Sequence, residues 1–395
     1  LISIIIFIRI LGSDIYGQYS FIMSQCNLIV ALGLGWLNQS ILRYHSVDSL
    51  NKEYYNHQKW ALCYSLIFSI LFFTFLSYYQ SLSNQLWLVS ISIIIGMGCF
   101  NYLKAFYQAI ILPRKIVSFS GIQSLFALIL PMVIMYFFGY NETLLLVGIA
   151  CSFFLTIIIL LKTKLIRFIL SSNNKSTNKS NIYLKKWFSY GAPLSLWFAA
   201  GLALSFLDRF FINYYLTKDE LGIYAGLQEL LTRSFSLTLF PLTMALHPRI
   251  MNLWNNAKVH DAAKIITKSI AVISCIGILI ICIVWFYNDL FFLLIQKLIP
   301  DYSIKSKLLI LPLLSAGFLW QLSLLTHKML ELKEQTTLMT IAIIPSLIIN
   351  IIGNTYFLPT WGGIATAYSA FFSALIYFII TSIHCIFSVN RIKSS

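Results

Sequence analysis

Apolar runs of roughly 20 residues recur along the chain between short polar connections, and each is long enough to cross a hydrocarbon layer as a helix. The predicted spans are 1–10, 17–41, 60–79, 86–108, 116–138, 143–161, 191–213, 223–246, 265–286, 306–326, 337–357 and 362–386. That makes twelve, the first being only half of a span. Its sequence, LISIIIFIRI, ends in Arg9 and a further connection, not in the small residues of a signal peptide. The natural protein is therefore expected to carry about 10–25 further residues before Leu1. One connection stands apart: 162–190 is polar, basic and rich in Ser and Asn. It reads as a linker between a six-span half at 1–161 and a second six-span half at 191–395.

Composition removes the soluble alternatives. Of 395 residues, 59% are hydrophobic and 10% charged, with a mean hydropathy of +0.81. Soluble domains average about 45–50% apolar and about 25% charged. A soluble enzyme, a disordered chain and a disulfide scaffold are excluded. The seven Cys form no C-x-x-C pair and the six His have no zinc-like spacing, so no metal or cofactor is expected.

The net charge of +15 would point to nucleic acid in a soluble protein. Here the basic residues lie between spans, so no nucleic-acid partner is expected and the charge reports orientation. Twenty-one of the 28 Lys and Arg fall in one set of alternate connections, five in the opposite set and two, Arg209 and Arg233, inside spans. The rich set includes Arg43, Lys104, Arg114, Lys115, Arg249, Lys264, Lys328 and Arg391. Both termini and the linker are accordingly predicted to be cytoplasmic.

An internal repeat supports two equivalent halves. Leu11, Asp14, Gly17 and Tyr19 match Leu216, Asp219, Gly222 and Tyr224 at a constant offset of 205 residues. Each copy lies at the outer turn between the first and second span of its half. Six spans per half give both the same orientation, an arrangement used by transporters that rock about a central site. Pro131, Pro193, Pro241, Pro312 and Pro345 lie within spans and suit bending helices.

The segment from Arg9 to Tyr19 resembles the R-x-L-G-x-x-x-[YF]-G-x-[YF] opening of polysaccharide export flippases. Gly33-Leu34-Gly35 followed by Arg43, and Leu207-Asp208-Arg209-Phe210 followed by Leu221-Gly222-Ile223-Tyr224, are similar to two further segments of that family. The likeness marks the Wzx-type O-antigen and polysaccharide flippases of the multidrug/oligosaccharidyl-lipid/polysaccharide exporter superfamily. It implies an all-α, V-shaped membrane fold. It also implies export of undecaprenyl-diphosphate-linked oligosaccharide units, O-antigen or capsule, across a bacterial inner membrane, alongside polymerase and export partners. Twelve spans set the chain apart from lipid II flippases of the fourteen-span type.

Charges inside spans are costly and mark function or pairing. Asp208 and Arg209 lie in the seventh span, and Glu229 and Arg233 in the eighth. Glu229 and Arg233, four apart, share a helix face. At 1.5 Å per residue, Arg233 lies about 15 Å deep, near the midplane. A diphosphate is expensive to desolvate, and a guanidinium fork binds it bidentately without losing its charge. Arg233, Arg209, Arg9 and Arg43 are the expected substrate-binding residues, and Asp208 and Glu229 the expected ion-coupling carboxylates. In the competing reading the four embedded charges neutralise one another and lock the hairpin, while Arg9, Arg43 and Lys104 reach out to headgroups. Trp36, Trp197 and Trp320 are the deepest tryptophans, suited to sugars or to helix packing. His247, His327 and His384 are expected at the inner interface.

Three rival functions remain. A drug exporter on the same fold needs an acidic lumen, whereas the embedded charge here is two acids and two Arg. A polymerase or glycosyltransferase needs acids in a sizeable outer loop, but the longest, about 287–305, holds only Asp289 and Asp301 among Lys297 and Lys305. A scramblase would not need coupled acids. A transporter, not an enzyme, is expected.

Overall fold

The computed structural model describes residues 2–48, 53–110, 112–163, 166–167, 180–299, 302–333 and 335–394. Among them the chain is helical and without strands. The helices are α1 (Ile2–Asp48), α2 (Tyr54–Tyr79), α3 (Asn84–Ala109), α4 (Pro113–Phe138) and α5 (Glu142–Leu161). They continue with α6 (Ser180–Tyr215), α7 (Lys218–Asn255), α8 (Val259–Phe286), α9 (Asn288–Leu298) and α10 (Lys307–Thr326). Last come α11 (Lys328–Leu332), α12 (Thr336–Trp361) and α13 (Gly363–Ser394).

Ten of the described helices are long and apolar enough to cross a membrane. The first two predicted spans share α1, broken only at Gly12, whose φ of 78° is open to glycine and strained for other residues. The predicted span 223–246 lies within α7, which carries Gln228, Glu229 and Arg233 and is not among the ten. The end of the polar linker is helical, since α6 begins at Ser180, and the connection 287–305, predicted to be an outer loop, carries α9. Exposed apolar side chains line up at helical spacing, as with Val117, Leu125, Ile129 and Val133 on α4. An apolar face of that extent on a monomer is a lipid-facing one. The protein is a multi-pass membrane protein.

Helix starts follow local chemistry. Ser83 caps α3 and Asn141 caps α5, their side chains accepting from the backbone N–H of Leu86 and Leu144. Pro113 occupies the first turn of α4, where its missing N–H costs nothing.

The chain forms two compact units, one of residues 1–21 with 203–395 and the other of 22–202. In the 22–202 unit, α3, α4 and α5 pack together. The end of α1 is tied to the start of α6: Lys186 Nζ donates to both oxygens of Asp48, at 2.9 and 3.1 Å, and Trp187 Nε1 donates to Oδ2 at 3.0 Å. Asp48 and Trp187 are buried. Asp48→Ala should therefore lower stability by about 1–3 kcal/mol, because the Trp187 N–H and the ammonium lose their acceptor. Thermal unfolding of detergent-solubilised protein measures this.

In the other unit, α7, α8, α10, α12 and α13 pack, with Ile250, Ala262, Ala263, Ile266, Met329, Leu332, Cys385 and Val389 forming one buried cluster. The two copies of the repeat meet here. A Cβ on Gly17 would lie 2.4 Å from the Lys218 carbonyl oxygen, and one on Gly222 would lie 1.8 Å from that of Ser13. Residues 13 and 218, like 17 and 222, are 205 apart, so the crossing is made twice by equivalent residues. The Ser13 hydroxyl also donates to Asp219 Oδ1.

Candidate functional site

The α6–α7 hairpin is set by a reciprocal cap. The Thr217 hydroxyl accepts from the Glu220 N–H at 3.2 Å, and Glu220 Oε2 accepts from the Thr217 N–H at 3.2 Å. This T-x-x-E pattern fixes where α7 begins and hence which α7 residues face Asp208 and Arg209.

Asp208 has no exposed surface. Its Oδ2 accepts from the Tyr224 hydroxyl at 2.5 Å and from Gln228 Nε2 at 3.3 Å. Its Oδ1 accepts from Asn350 Nδ2 at 2.9 Å and Asn354 Nδ2 at 3.2 Å. Asn350 and Asn354, four apart on α12, present one face, and Asn354 Nδ2 also donates to Asn350 Oδ1 at 3.1 Å. Four neutral donors thus hold a carboxylate away from water, the condition under which a buried charge survives. No ion pair reaches Asp208 among the described residues.

Arg209, adjacent in sequence, is 2% exposed and serves a different set. Its Nη1 donates to the Ser20 carbonyl at 3.2 Å and the Ser20 hydroxyl at 2.5 Å. Its Nη2 donates to Glu229 Oε1 at 2.8 Å and to Gln228 Oε1 at 3.5 Å. Glu229 Oε2 meets Arg233 Nη2 at 2.8 Å. Glu229 therefore lies between two guanidinium groups, one buried and one not: the Arg233 side chain is 52% exposed. Gln228 joins the two networks, its amide N–H to Asp208 and its amide oxygen to Arg209. The line runs Arg233, Glu229, Arg209, Gln228, Asp208, and its formal charges sum to zero.

The six sequence-predicted site residues thus separate. Asp208, Arg209, Glu229 and Arg233 join one network. Arg9 is exposed on α1, and Arg43 is exposed with its guanidinium 5.8 Å from the centre of the Tyr190 ring. Neither belongs to the network among the described residues. Gln228, Asn350 and Asn354 do not stand out in the sequence, and Tyr224 does so only as a position of the repeat and of the family-like segment, not as a site residue. The signal was present: two amides four residues apart in an otherwise apolar α12 must find partners inside the protein. The deep tryptophans pack, Trp320 stacking on Tyr377 and Trp36 Nε1 donating to the Ser65 hydroxyl at 3.1 Å. His327, expected at the interface, is buried beside Tyr377, and the His247 side chain lies outside the described residues.

A family model described as polysaccharide biosynthesis protein matches residues 1–254. No curated protein matches the chain. Among solved structures, an inward-facing multidrug resistance MATE family transporter of the MOP superfamily superposes with a TM-score of 0.70 at 13% identity, over 100% of this chain and 94% of that one. The lipid II flippase MurJ, in an inward closed conformation, gives 0.68 at 13% identity, over 97% and 84%. A MOP superfamily transporter from Pyrococcus furiosus, described as having a binding pocket of reverse polarity, gives 0.59 at 13% identity, over 98% and 91%. The fold is that of MOP-superfamily transporters.

Proposed function

Since the chain belongs to the polysaccharide biosynthesis protein family, we propose that it is a flippase moving polyprenyl-diphosphate-linked oligosaccharide units, of the O-antigen or capsule type, from the cytoplasmic to the outer leaflet of a bacterial inner membrane. The observation that carries this reading is the half-exposed Arg233 guanidinium on a carboxylate shared with buried Arg209. A diphosphate arriving at Arg233 competes with Glu229 for the fork. Glu229 keeps Arg209 as its counter-charge, so the exchange strands no buried ion, the outcome that would cost most. Arg209, holding four acceptors, is the fixed cation of the pair, and Arg233 is the one a ligand can reach.

Asp208 is the coupling carboxylate in this reading. A change of the ligand on Arg233 is felt at Asp208 through Glu229, Arg209 and Gln228, each a direct hydrogen bond or ion pair. Asp208→Asn turns one acceptor oxygen into a donor facing donors. It should cost about 1–3 kcal/mol of stability for each pairing lost and remove the dependence of transport on pH or on sodium. Rates measured in proteoliposomes across pH and across sodium concentration check this, and an unchanged dependence would make Asp208 structural.

Deletion of the gene separates the reading from a drug exporter on the same fold. Loss of surface polysaccharide, accumulation of lipid-linked units on the inner leaflet and unchanged drug susceptibility are expected. The reverse pattern, with drug sensitivity and intact polysaccharide, would favour the small-molecule exporter. The reachable charge of the network is the Arg233 guanidinium, which suits the diphosphate of a lipid-linked cargo better than a cationic drug.

A further inference from the structure

Where α7 ends and α8 begins, the structure holds a cavity of about 560 Å³ lined by Arg249, Asn252 and Leu253 from α7 and Asp261, Lys264 and Ile265 from α8. Its walls are fixed. The corner is closed by hydrogen bonds from the N–H of Asn256, Ala257 and Lys258 to the carbonyls of Asn252, Trp254 and Leu253 at 3.0, 3.1 and 2.9 Å. The opposite faces of both helices, at Ile250, Ala262, Ala263 and Ile266, are sunk in the buried cluster. Arg249 and Lys264 are exposed, and among the described residues neither is held in an ion pair.

We propose that this cavity binds the headgroup of an anionic phospholipid, with Arg249 and Lys264 on its phosphodiester. Three observations favour that ligand. The first is level. Arg249 and Lys264 flank the inner ends of the predicted spans 223–246 and 265–286, within about 5 Å of the hydrocarbon edge at 1.5 Å per residue. Headgroup phosphates lie at that level, and basic pockets between membrane helices on the cytoplasmic side recruit them. The second is charge. Two cations and Asp261 leave one net positive charge, which a phosphodiester with its single negative charge balances. A doubly charged free phosphate would leave the occupied site with a net negative charge beside Asp261. The third is lining: Leu253 and Ile265 supply apolar contact for the glycerol end of a lipid, which a free phosphate does not use. Asn252 Oδ1 accepts from Asn256 Nδ2 at 2.5 Å, which leaves the Asn252 amide N–H groups to donate to the ligand. The site is independent of the cargo.

Native mass spectrometry of the full chain in detergent tests the proposal, with phosphatidylglycerol and phosphatidylethanolamine as probes and inorganic phosphate as competitor. The wild-type protein should retain phosphatidylglycerol in preference, and R249Q/K264Q should lose roughly tenfold of that preference. R114Q/K115Q, which removes equal charge at another exposed, basic connection, should keep it. Inorganic phosphate at millimolar level should not displace the lipid. On the wild-type protein alone, raising the salt should weaken the preference, a measurement that needs no variant to fold. An unchanged preference in R249Q/K264Q, or an equal loss in both double variants, would overturn the site. Displacement by inorganic phosphate, or a wild-type preference indifferent to salt, would overturn the lipid as its ligand.

Discussion

Arg233→Ala should cut export by roughly tenfold or more, the worth of a charge-assisted hydrogen bond to phosphate, while the protein still inserts at wild-type level. The two halves of that expectation come from one geometry. The Arg233 side chain is 52% exposed, and its ion pair to Glu229 at 2.8 Å joins residues four apart on one helix. Exposed pairs of this kind contribute about 0–1 kcal/mol to stability. Removing Arg233 leaves Glu229 with Arg209, so nothing buried loses its counter-charge. Arg209→Ala is the contrasting case. It would leave Glu229 with only the half-exposed Arg233 and empty a buried position that serves Ser20, Gln228 and Glu229, and breaking such a buried pair costs about 3–5 kcal/mol. Loss of export with loss of protein is therefore expected at Arg209, and loss of export alone at Arg233. Arg233→Lys, which keeps the charge without the planar fork, should fall between wild type and Arg233→Ala. Surface polysaccharide normalised to membrane protein level is the measurement, and wild-type export from Arg233→Ala would remove this residue from the mechanism.

Gly222→Ala should destabilise the 1–21/203–395 unit more than an exposed helical Gly→Ala change, which normally stabilises. The added Cβ would meet the Ser13 carbonyl oxygen at 1.8 Å, its carbon at 2.5 Å and its Cα at 3.0 Å, all backbone. Backbone cannot rotate away as a side chain does, so α7 and the N-terminal part of α1 must separate, at or above the usual overpacking cost of about 1–3 kcal/mol. Gly17→Ala should act in the same way against the Lys218 carbonyl. Because both substitutions force apart the same crossing, the double variant should be less damaged than the sum of the singles. Thermal unfolding in detergent of the two singles and the double checks this. Additive losses would mean that the two glycines serve separate contacts.

Hydropathy made the helices legible, since lipid leaves each spanning backbone no partner but itself. It also made the four embedded charges conspicuous, and Glu229 and Arg233 meet as their spacing predicts. The partners of Asp208 were harder to read. Its neighbour Arg209 lies one residue away, yet a helix turns successive side chains about 100° apart. Asp208 therefore faces Tyr224 and α12, while Arg209 faces Ser20 and Glu229. Which of Asn350, Asn354 and Gln228 would reach Asp208 depends on how α12 packs, and no local pattern carries that. The Asp48–Lys186 tie joins residues 138 apart and left no trace in the sequence. The α9 helix is hidden for a different reason: its 11 residues are too few to span a membrane, so no apolar run of span length marks it.

The doubled crossing of Gly17 and Gly222 has a consequence for ancestry. Residue 13 meets 222 while 17 meets 218, and an offset of 205 converts one contact into the other. Such a joint is self-complementary, the isologous kind that a two-fold axis creates between identical subunits. A half-length chain with one copy of the motif would already own both faces of it, so two such chains could have docked as a homodimer before any gene fusion joined them end to end.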